Sequence, residues 1–315
     1  FELLALYNNS WGNFDFNATL GGNLYKVNNQ TIVTTAKDMK IRDVVALMSF
    51  NEVSVEPYSY RKQINSIYGA VNLGWKHMLY FDATLRGDQS STLPISNNMY
   101  IYPSFSGSFV FSELLKLGDK LPYGKVRMSW AQVGSDTDPY QLGLVYTKSK
   151  FAYPGYTIGY ISNGTIPNKD LKPTKTNSFE MGLELKFLKN RIGLDFTYYS
   201  QLSKNQIMGM ASSSTSGYGY RLINAGEIEN KGVEIALNTR PIQTKDFSWD
   251  LNFNFSKNSN KVKKLVDDMD MFELEKATWL DVQVAAKVGE NFGSIVGPDF
   301  QRNENGDILI DPSTG

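Results

Sequence analysis

The sequence predicts part of an antiparallel β-barrel that crosses a membrane, with lipid outside and water inside. The first observation is the strict alternation over 247–256, where Phe, Trp and Leu hold the odd positions and Ser, Asp and Asn the even ones. Alternate side chains of a strand point to opposite faces, so one face is apolar and the other polar. The second observation is that about nine such segments are joined by alternately short and long connections, as in transmembrane barrels.

Each predicted strand carries this alternation, and the apolar side of the strand cores holds no Asp, Glu, Lys or Arg. That absence matters because Arg or Lys at mid-membrane on the lipid face costs roughly 2–4 kcal/mol. A weaker tenth strand is expected near 288–301, and 1–7 is interpreted as part of a strand already under way. The nine segments are 12–27, 62–76, 78–90, 99–114, 124–134, 174–188, 190–208, 227–241 and 246–261.

The apolar positions of the strand cores alternate with mostly polar or small residues of the opposite face. They are Phe14, Phe16, Ala18, Leu20 and Leu24, then Leu79, Phe81, Ala83 and Leu85, then Phe105, Phe109 and Phe111, then Phe179, Met181, Leu183, Leu185 and Phe187, then Ile192, Leu194, Phe196 and Tyr198, then Val233, Ile235 and Leu237.

Composition excludes several other classes of protein. No run of eighteen apolar residues is present, so a transmembrane helix is not predicted. The 32 basic and 32 acidic residues cancel, which gives no reason to expect a nucleic-acid partner. The chain has no Cys, which leaves neither a disulfide framework nor a thiolate metal site. Tyr and Phe, at 18 each, suit the aromatic girdles of a barrel.

The connections predict the topology. Short turns are expected at 75–78, 116–123, 188–190 and 241–246, and long loops at 28–62, 88–98, 134–173, 209–227 and 258–288. Outer-membrane barrels have short periplasmic turns and longer extracellular loops. We therefore place the long loops outside the cell, where they would carry recognition.

The residue types that usually carry chemistry have simpler interpretations here. His77 is the single His and lies in a tight turn, so neither a catalytic triad nor a His-based metal site can be built. The stretches 136–138 and 303–307 resemble pieces of calcium loops but lack the full twelve-residue pattern, and turn chemistry is the favoured reading. Glu180 and Glu184, near Lys186, are interpreted as a solvated ion network. No enzyme, cofactor or metal is predicted.

A resemblance to one family becomes specific at this point. The chain resembles part of a SusC/RagA-type TonB-dependent outer-membrane transporter of Bacteroidetes, with the similar segments in family order over most of its length. One departure is Gln89, where Gly is common in the family. The segments are 80–91 (YFDATLRGDQSS), 102–108 (YPSFSGS) with Ser112 and Glu113, 125–134 (KVRMSWAQVG), 168–182 (NKDLKPTKTNSFEMG), 224–234 (NAGEIENKGVE) and 289–315.

The resemblance implies a barrel of twenty-two strands, and residues 1–315 would be about nine or ten strands of it. It also implies an N-terminal plug, a TonB box and final strands, which we expect outside this chain. The implied partners are a SusD-like surface lipoprotein, outer-membrane lipid and, through the missing N-terminal part, TonB–ExbB–ExbD. The implied activity is import of oligosaccharides or oligopeptides at the bacterial outer membrane.

Tyrosines in the long loops are the candidate contacts to cargo or to the lid lipoprotein, with loop packing as the alternative. They are Tyr153, Tyr156, Tyr160, Tyr218 and Tyr220. A different class of function also stays open, namely a passive porin or a secreted structural β-protein such as an adhesin. A plug domain and a TonB box upstream of Phe1 would decide for active import.

Overall fold

A computed structural model of the chain describes residues 1–116, 118–148, 155–156, 158–161, 164–266, 269–277, 281–311 and 313. Within these residues the only α-helix is the single turn α1 (Phe111–Leu115), and none of the helices is long and apolar enough to span a bilayer. The strands are β1 (Glu2–Trp11), β2 (Phe14–Met39), β3 (Phe50–Trp75), β4 (Leu79–Ser90), β5 (Met99–Val110), β6 (Tyr123–Ser135), β7 (Tyr146–Lys148), β8 (Gly159–Ile161), β9 (Thr165–Ile166), β10 (Thr174–Phe187), β11 (Ile192–Ala211), β12 (Tyr220–Gln243), β13 (Ser248–Lys264), β14 (Met271–Lys276), β15 (Gln283–Lys287) and β16 (Ser294–Val296).

Ten of these strands form one antiparallel sheet in the order β1-β2-β3-β4-β5-β6-β10-β11-β12-β13. Each long strand pairs with the next long strand of the chain, as expected for a section of an up-and-down barrel. The short β9 joins the same sheet by pairing parallel to β12 at Tyr220 and Arg221. The predicted fold class is therefore confirmed, and the segment at 1–7 is indeed part of a strand.

The prediction of a tenth barrel strand near 288–301 is wrong. That segment contains only β16, which belongs to a separate three-stranded sheet with β14 and β15. Gly289 and Gly293 have φ of +87° and +88°, a conformation that interrupts an extended strand. The predicted strand 99–114 is also too long, since β5 ends at Val110 and α1 follows it.

Several strands continue further into the expected long loops than the alternation indicated. The loop expected at 28–62 is mostly a hairpin, in which β2 and β3 stay paired up to Met39 and Phe50. Likewise 209–227 is largely strand, because Ala211 of β11 pairs directly with Tyr220 of β12. These extensions lose the alternation because both of their faces can meet water, while β-branched residues still favour extended backbone.

Three of the four expected short turns, at 75–78, 188–190 and 241–246, lie close to where the sequence placed them. The fourth, at 116–123, is part of a longer connection that contains α1 and a 3-10 helix at Gly118–Lys120. Lys76 and His77 have φ of +51° and +53°, and Leu188, Lys189 and Asn190 lie between +50° and +65°. The backbone amide of Thr244 donates to the carbonyl oxygen of Phe247 at 2.7 Å, which closes the turn after β12. Short connections thus stand at one end of the sheet and long ones at the other.

Buried apolar clusters are small and lie at the long-loop end. Val262 and Leu265 pack with Phe272 of β14 and Ala286 of β15, which seats the small sheet on the end of β13. Leu93, Leu171 and Leu222 form a second cluster, which joins the β4–β5 connection and the segment before β10 to the start of β12. Along the rest of the sheet large apolar side chains are exposed, with Phe81 at 47% and Phe253 at 58%. Such an exposed apolar face fits contact with lipid.

The apolar stripe of β13 yields the first prediction. In the full barrel, Leu251→Arg should lower the free energy of unfolding by roughly 2–4 kcal/mol, because an outward-facing charge near mid-membrane must leave water. Asn252→Arg is the matched control, since Asn252 lies one residue along the strand on the polar face. The measurement is a urea titration of the receptor in lipid vesicles. Equal losses for the two variants would show that the faces are assigned wrongly.

A second prediction concerns close packing over glycine. A Cβ at Gly232 would lie 2.5 Å from the Tyr199 ring and 2.7 Å from the Lys257 carbonyl oxygen. Gly232→Ala should therefore destabilise the barrel by about 1–3 kcal/mol in the same titration. Gly193→Ala is the control, since the nearest atoms there, on Asn238, are 3.9 Å away. Similar stability losses in both variants would contradict a role for the tyrosine packing.

Candidate functional site

The polar face of the sheet is continuous across all ten strands. The register places one polar or small residue of each strand in a single row, and the residues one step further along the strands form an adjacent, mainly apolar row on the other face. In a closed barrel the polar row would line the water-filled interior. It consists of Asn8, Asn17, Asn72, Asp82, Ser106, Ser129, Glu180, Tyr199, Gly232 and Asn258.

Side chains of this row are joined by hydrogen bonds from strand to strand. The Asn17 amide donates to Asn72 Oδ1 at 3.0 Å, and Asn72 in turn donates to the Asp82 carboxylate. Ser106 Oγ donates to the other oxygen of Asp82 at 2.9 Å. Four adjacent strands are thus linked through amide, hydroxyl and carboxylate groups that an apolar environment would leave unsatisfied.

Arg127 forms a two-pronged ionic contact on the polar face. Its two terminal nitrogens donate to the Asp195 carboxylate at 3.0 and 2.7 Å, and one also donates to Thr197 Oγ1 at 2.6 Å. The guanidinium reaches Asp195 from β6 by passing over β10, where Gly182 has no side chain to obstruct it. This two-pronged geometry is the form in which Arg binds a carboxylate most tightly.

The ion network predicted for Glu180, Glu184 and Lys186 is formed in part. Lys186 Nζ lies 3.8 Å from Glu184 Oε1 and 4.8 Å from the centre of the Tyr123 ring. Glu180 and Glu184 both lie on the polar face of β10, where they pair in register with Tyr199 and Asp195. Half-exposed charges that neutralise one another are typical of a solvated channel wall.

A rim cluster of Lys62, Ser90, Thr92 and Asp136 closes the long-loop end of the polar face. Asp136 Oδ1 lies 2.7 Å from Lys62 Nζ, and its Oδ2 accepts from Ser90 at 2.5 Å and Thr92 at 3.1 Å. Asp136 and Lys62 are mostly buried, with 12% and 21% of their side chains exposed. The backbone amide of Arg61 also donates to the Tyr140 hydroxyl at 3.1 Å. The loop after β6 is thereby fixed onto β3 across β4 and β5.

Both stretches that resemble calcium loops are used for internal contacts. Asp136 belongs to the rim cluster, and Asn303 Oδ1 accepts the amides of Asn305 and Asp307 at 2.9 Å each. The turn reading is therefore confirmed for 303–307. His77 lies in its exposed turn, 3.7 Å from the Asp15 carboxylate. Among the described residues no three His, Cys, Asp or Glu side chains are grouped so that they could hold a metal ion.

The structure ties together the two loops that carry the candidate tyrosines. The backbone amides of Gly219 and Tyr220 donate to the Gly164 carbonyl at 2.8 and 2.7 Å. Tyr156, Tyr160 and Tyr220 expose 75%, 52% and 54% of their surface, whereas Tyr218 is half-buried. Tyr153 lies outside the described residues. The loops of the other four candidates thus meet at the same end of the sheet.

Sequence reasoning missed the tyrosines that lie on the strands themselves. Tyr68 packs against Arg86, whose guanidinium carbon is 5.4 Å from the ring centre, and Tyr100 stacks on Tyr102 at 5.8 Å. Tyr102 also donates to the Asp88 carboxylate, which pairs with Arg86 at 2.8 Å. Their positions within the alternation were a signal, because each falls where a polar residue is expected. The tyrosines predicted from the sequence were chosen instead for the composition of the long loops.

The chain is similar in sequence to known receptors. A family model described as "TonB dependent receptor-like, beta-barrel" matches residues 2–287. TonB-dependent receptor P3 of Formosa agariphila is 28% identical over 314 residues, which cover 95% of this chain and 31% of that protein. TonB-dependent receptor SusC of Bacteroides thetaiotaomicron is 30% identical over 225 residues, which cover 68% of this chain and 22% of SusC.

Solved structures give the same result for the fold. The RagAB peptide transporter matches with a TM-score of 0.81 at 21% identity, over 92% of this chain and 32% of that one. The RagAB peptide importer in its closed-closed state matches with a TM-score of 0.82 at 20% identity, and the match covers 98% of this chain and 36% of that one. The chain spans less than a third of the length of the curated relatives it matches.

The rim cluster generates the third prediction. Asp136→Ala removes the partner of a mostly buried ammonium group and of two hydroxyls, so residues 134–142 should open more easily by roughly 1–3 kcal/mol. Hydrogen exchange of the full-length receptor measures this as faster exchange confined to that segment. Asp138→Ala is the control, because Asp138 is exposed two residues further on. Unchanged exchange in the Asp136 variant would mean that the cluster does not hold the loop.

Proposed function

The chain belongs to the TonB dependent receptor-like β-barrel family, in its SusC/RagA type, and we propose that the full protein actively imports oligosaccharides or oligopeptides. Members of this family are outer-membrane β-barrels, and this chain is a ten-stranded section of such a barrel. The observation that carries the proposal is the polar row, since it provides a hydrated, charge-lined wall behind an apolar outer face. A wall of this kind suits polar cargo.

The proposed partners follow from the family and from the shape of the long-loop end. A SusD-like lipoprotein would cover the extracellular mouth, and TonB–ExbB–ExbD would supply energy through a part of the protein upstream of residue 1. In support, the loops at this end are tied to one another at Gly164 and to the sheet at Asp136. A mouth built in this way offers a lid protein a preformed surface rather than a set of separate loops.

The cargo contacts that we propose are the loop tyrosines Tyr153, Tyr156, Tyr160, Tyr218 and Tyr220. Tyrosine offers a large contact area at low entropic cost and suits both sugar rings and peptide side chains. The high exposure of Tyr156 leaves its ring available to a ligand. The RagAB structures are of a peptide transporter, which supports a peptide as the first cargo to test.

The alternative of a passive porin or a secreted adhesin now has less support. Membership of a receptor family and the match to SusC favour gated uptake over an open pore. The two ideas differ in one measurable property, because a porin passes its solute without energy input. Dependence of uptake on TonB therefore separates them.

The experiment, which is the fourth prediction, uses the full-length receptor in a host that lacks the chromosomal copy. Uptake of fluorescent oligopeptide and oligosaccharide pools is measured with and without TonB. We expect uptake of one pool only when receptor and TonB are both present. TonB-independent uptake would contradict active import and favour the porin.

A variant of the same experiment tests the tyrosine loop. Residues 212–219 are replaced by Asn-Gly, which can close a two-residue turn between the paired Ala211 and Tyr220. The barrel should still fold, while uptake or co-purification of the lid lipoprotein should fall. The control replaces the opposite turn by Lys245→Asn with Asp246→Gly, which should change neither. Wild-type uptake and lid binding in the loop variant would rule out its role in recognition.

A further inference from the structure

The outward face of β10 to β13 changes character abruptly along the strands. From Phe247, just before β13, to Phe255 within it, the outward side chains are aromatic or Leu, and the next outward residue is Lys257. Eight steps of about 3.4 Å at a tilt of about 40° cover roughly 21 Å of membrane thickness, close to the height of a barrel's apolar band. Lys257 therefore stands at the upper boundary of the apolar band.

Lysines occupy the rows above this boundary on all four strands. The register pairs Lys175 with Lys204, Lys204 with Glu227, and Glu229 with Lys261. These positions have the same parity as the lipid-facing residues of their strands, so they point outward. Lys263 lies at a shift in register and is placed on this face by its contact with Glu229. We call them the lysine band, which consists of Lys175, Lys204, Lys231, Lys257, Lys261 and Lys263.

Two acidic residues organise the band without neutralising it. Glu229 lies 2.8 Å from Lys231 and 3.9 Å from Lys263, and Glu227 lies 3.1 Å from Lys204. The 2.8 Å contact between Lys231 and Glu229 holds this ammonium group in place on the outer face. Six lysines and two glutamates leave four positive charges on this face.

The neighbouring strands lack such a band. At the corresponding outward positions β4 has Gly87 and Gln89, β5 has Met99 and Ile101, and β6 has Gln132. The outer wall of β10–β13 is thus more positive than that of β4–β6, while β2 and β3 carry Lys26 and Arg61 at outward positions. A general need for solubility at the membrane surface would not distinguish β10–β13 from β4–β6.

From this placement we propose that the lysine band binds phosphate groups of lipid headgroups in the outer leaflet of the outer membrane. Each outward step of two residues rises about 5 Å, so Lys231, Lys257 and Lys261 lie within the headgroup layer just above the hydrocarbon. Ammonium groups bind phosphate as point charges, and anionic headgroups attract clusters of Lys at a membrane surface. Cargo in the barrel interior faces the opposite side of the sheet and cannot reach the band.

The test, which is the fifth prediction, uses the full-length receptor in nanodiscs, with lipid A as the phosphorylated glycolipid probe. One variant combines the substitutions Lys175→Gln, Lys231→Gln, Lys257→Gln and Lys261→Gln. Native mass spectrometry compares how much lipid A stays bound to the wild type and to the variant. We expect retention to fall about tenfold or more, since each lysine near an anionic surface contributes substantially, and to fall with added salt.

Three controls keep the result interpretable. A control variant loses the same number of positive charges at the short-turn end and should retain as much lipid A as the wild type. It carries Lys76→Gln, Lys120→Gln, Lys189→Gln and Lys245→Gln. Dephosphorylated lipid A should be retained equally weakly by the wild type and the variant. Inorganic phosphate at millimolar concentration should not displace lipid A, because a free anion lacks the acyl chains that hold the lipid beside the apolar band.

The outcomes are distinct. Equal retention of lipid A by the wild type and the band variant would overturn the proposal, as would equal retention of the phosphorylated and dephosphorylated lipid. Displacement by inorganic phosphate alone would instead indicate a free-anion site. Cargo uptake measured on the same variants reports on the import function separately, so failure of the lipid proposal leaves that function unaffected.

Discussion

The alternation of side chains about an extended backbone, kept in register over ten strands, is the constraint on which the rest of this structure depends. A shift of one residue in any strand pair would move Asp82 or Glu180 to the apolar face and Phe81 or Met181 into the polar row. The hydrogen bonds from Asn17 through Asn72 to Asp82 hold that register from the polar side. Fold stability and the nature of the barrel interior therefore have the same origin.

Most of this constraint is visible in the sequence, which is why the strand order and the two faces could be predicted. The alternation marks a strand wherever one face meets lipid and the other water, as at 247–256. It disappears where both faces meet water, and for that reason the continuation of β2 and β3 to Met39 and Phe50 was not predicted. The tenth strand was misplaced because a segment as short as Ser294–Val296 carries no information about which sheet it joins.

The candidate site was predicted less well, because its contacts join residues far apart in the chain. Lys62 and Asp136 are separated by 74 positions, and the bond between Gly164 and Gly219 joins two different loops. No local pattern contains such pairings. The loop tyrosines were selected on composition, whereas Tyr68, Tyr100 and Tyr102 became visible only when β3, β4 and β5 were placed side by side. Periodicity predicts a face, and tertiary structure decides which residues of that face meet.

The same two-faced geometry also fixes the height of the barrel in its membrane. On the polar face of β13, Asp250 pairs with Arg240 at 2.6 Å, while its neighbour Leu251 faces lipid at nearly the same depth. Charged side chains are tolerated at any height on the face toward the barrel interior. On the outer face they are tolerated only above or below the apolar band. Raising the sheet by two residues would lift Phe255 out of the apolar band and draw the short-turn end, where Phe14 and Trp75 lie 6.5 Å apart, into the hydrocarbon. Lowering it would bring Lys257 into hydrocarbon, so the outward aromatic and lysine positions together hold the sheet at one depth.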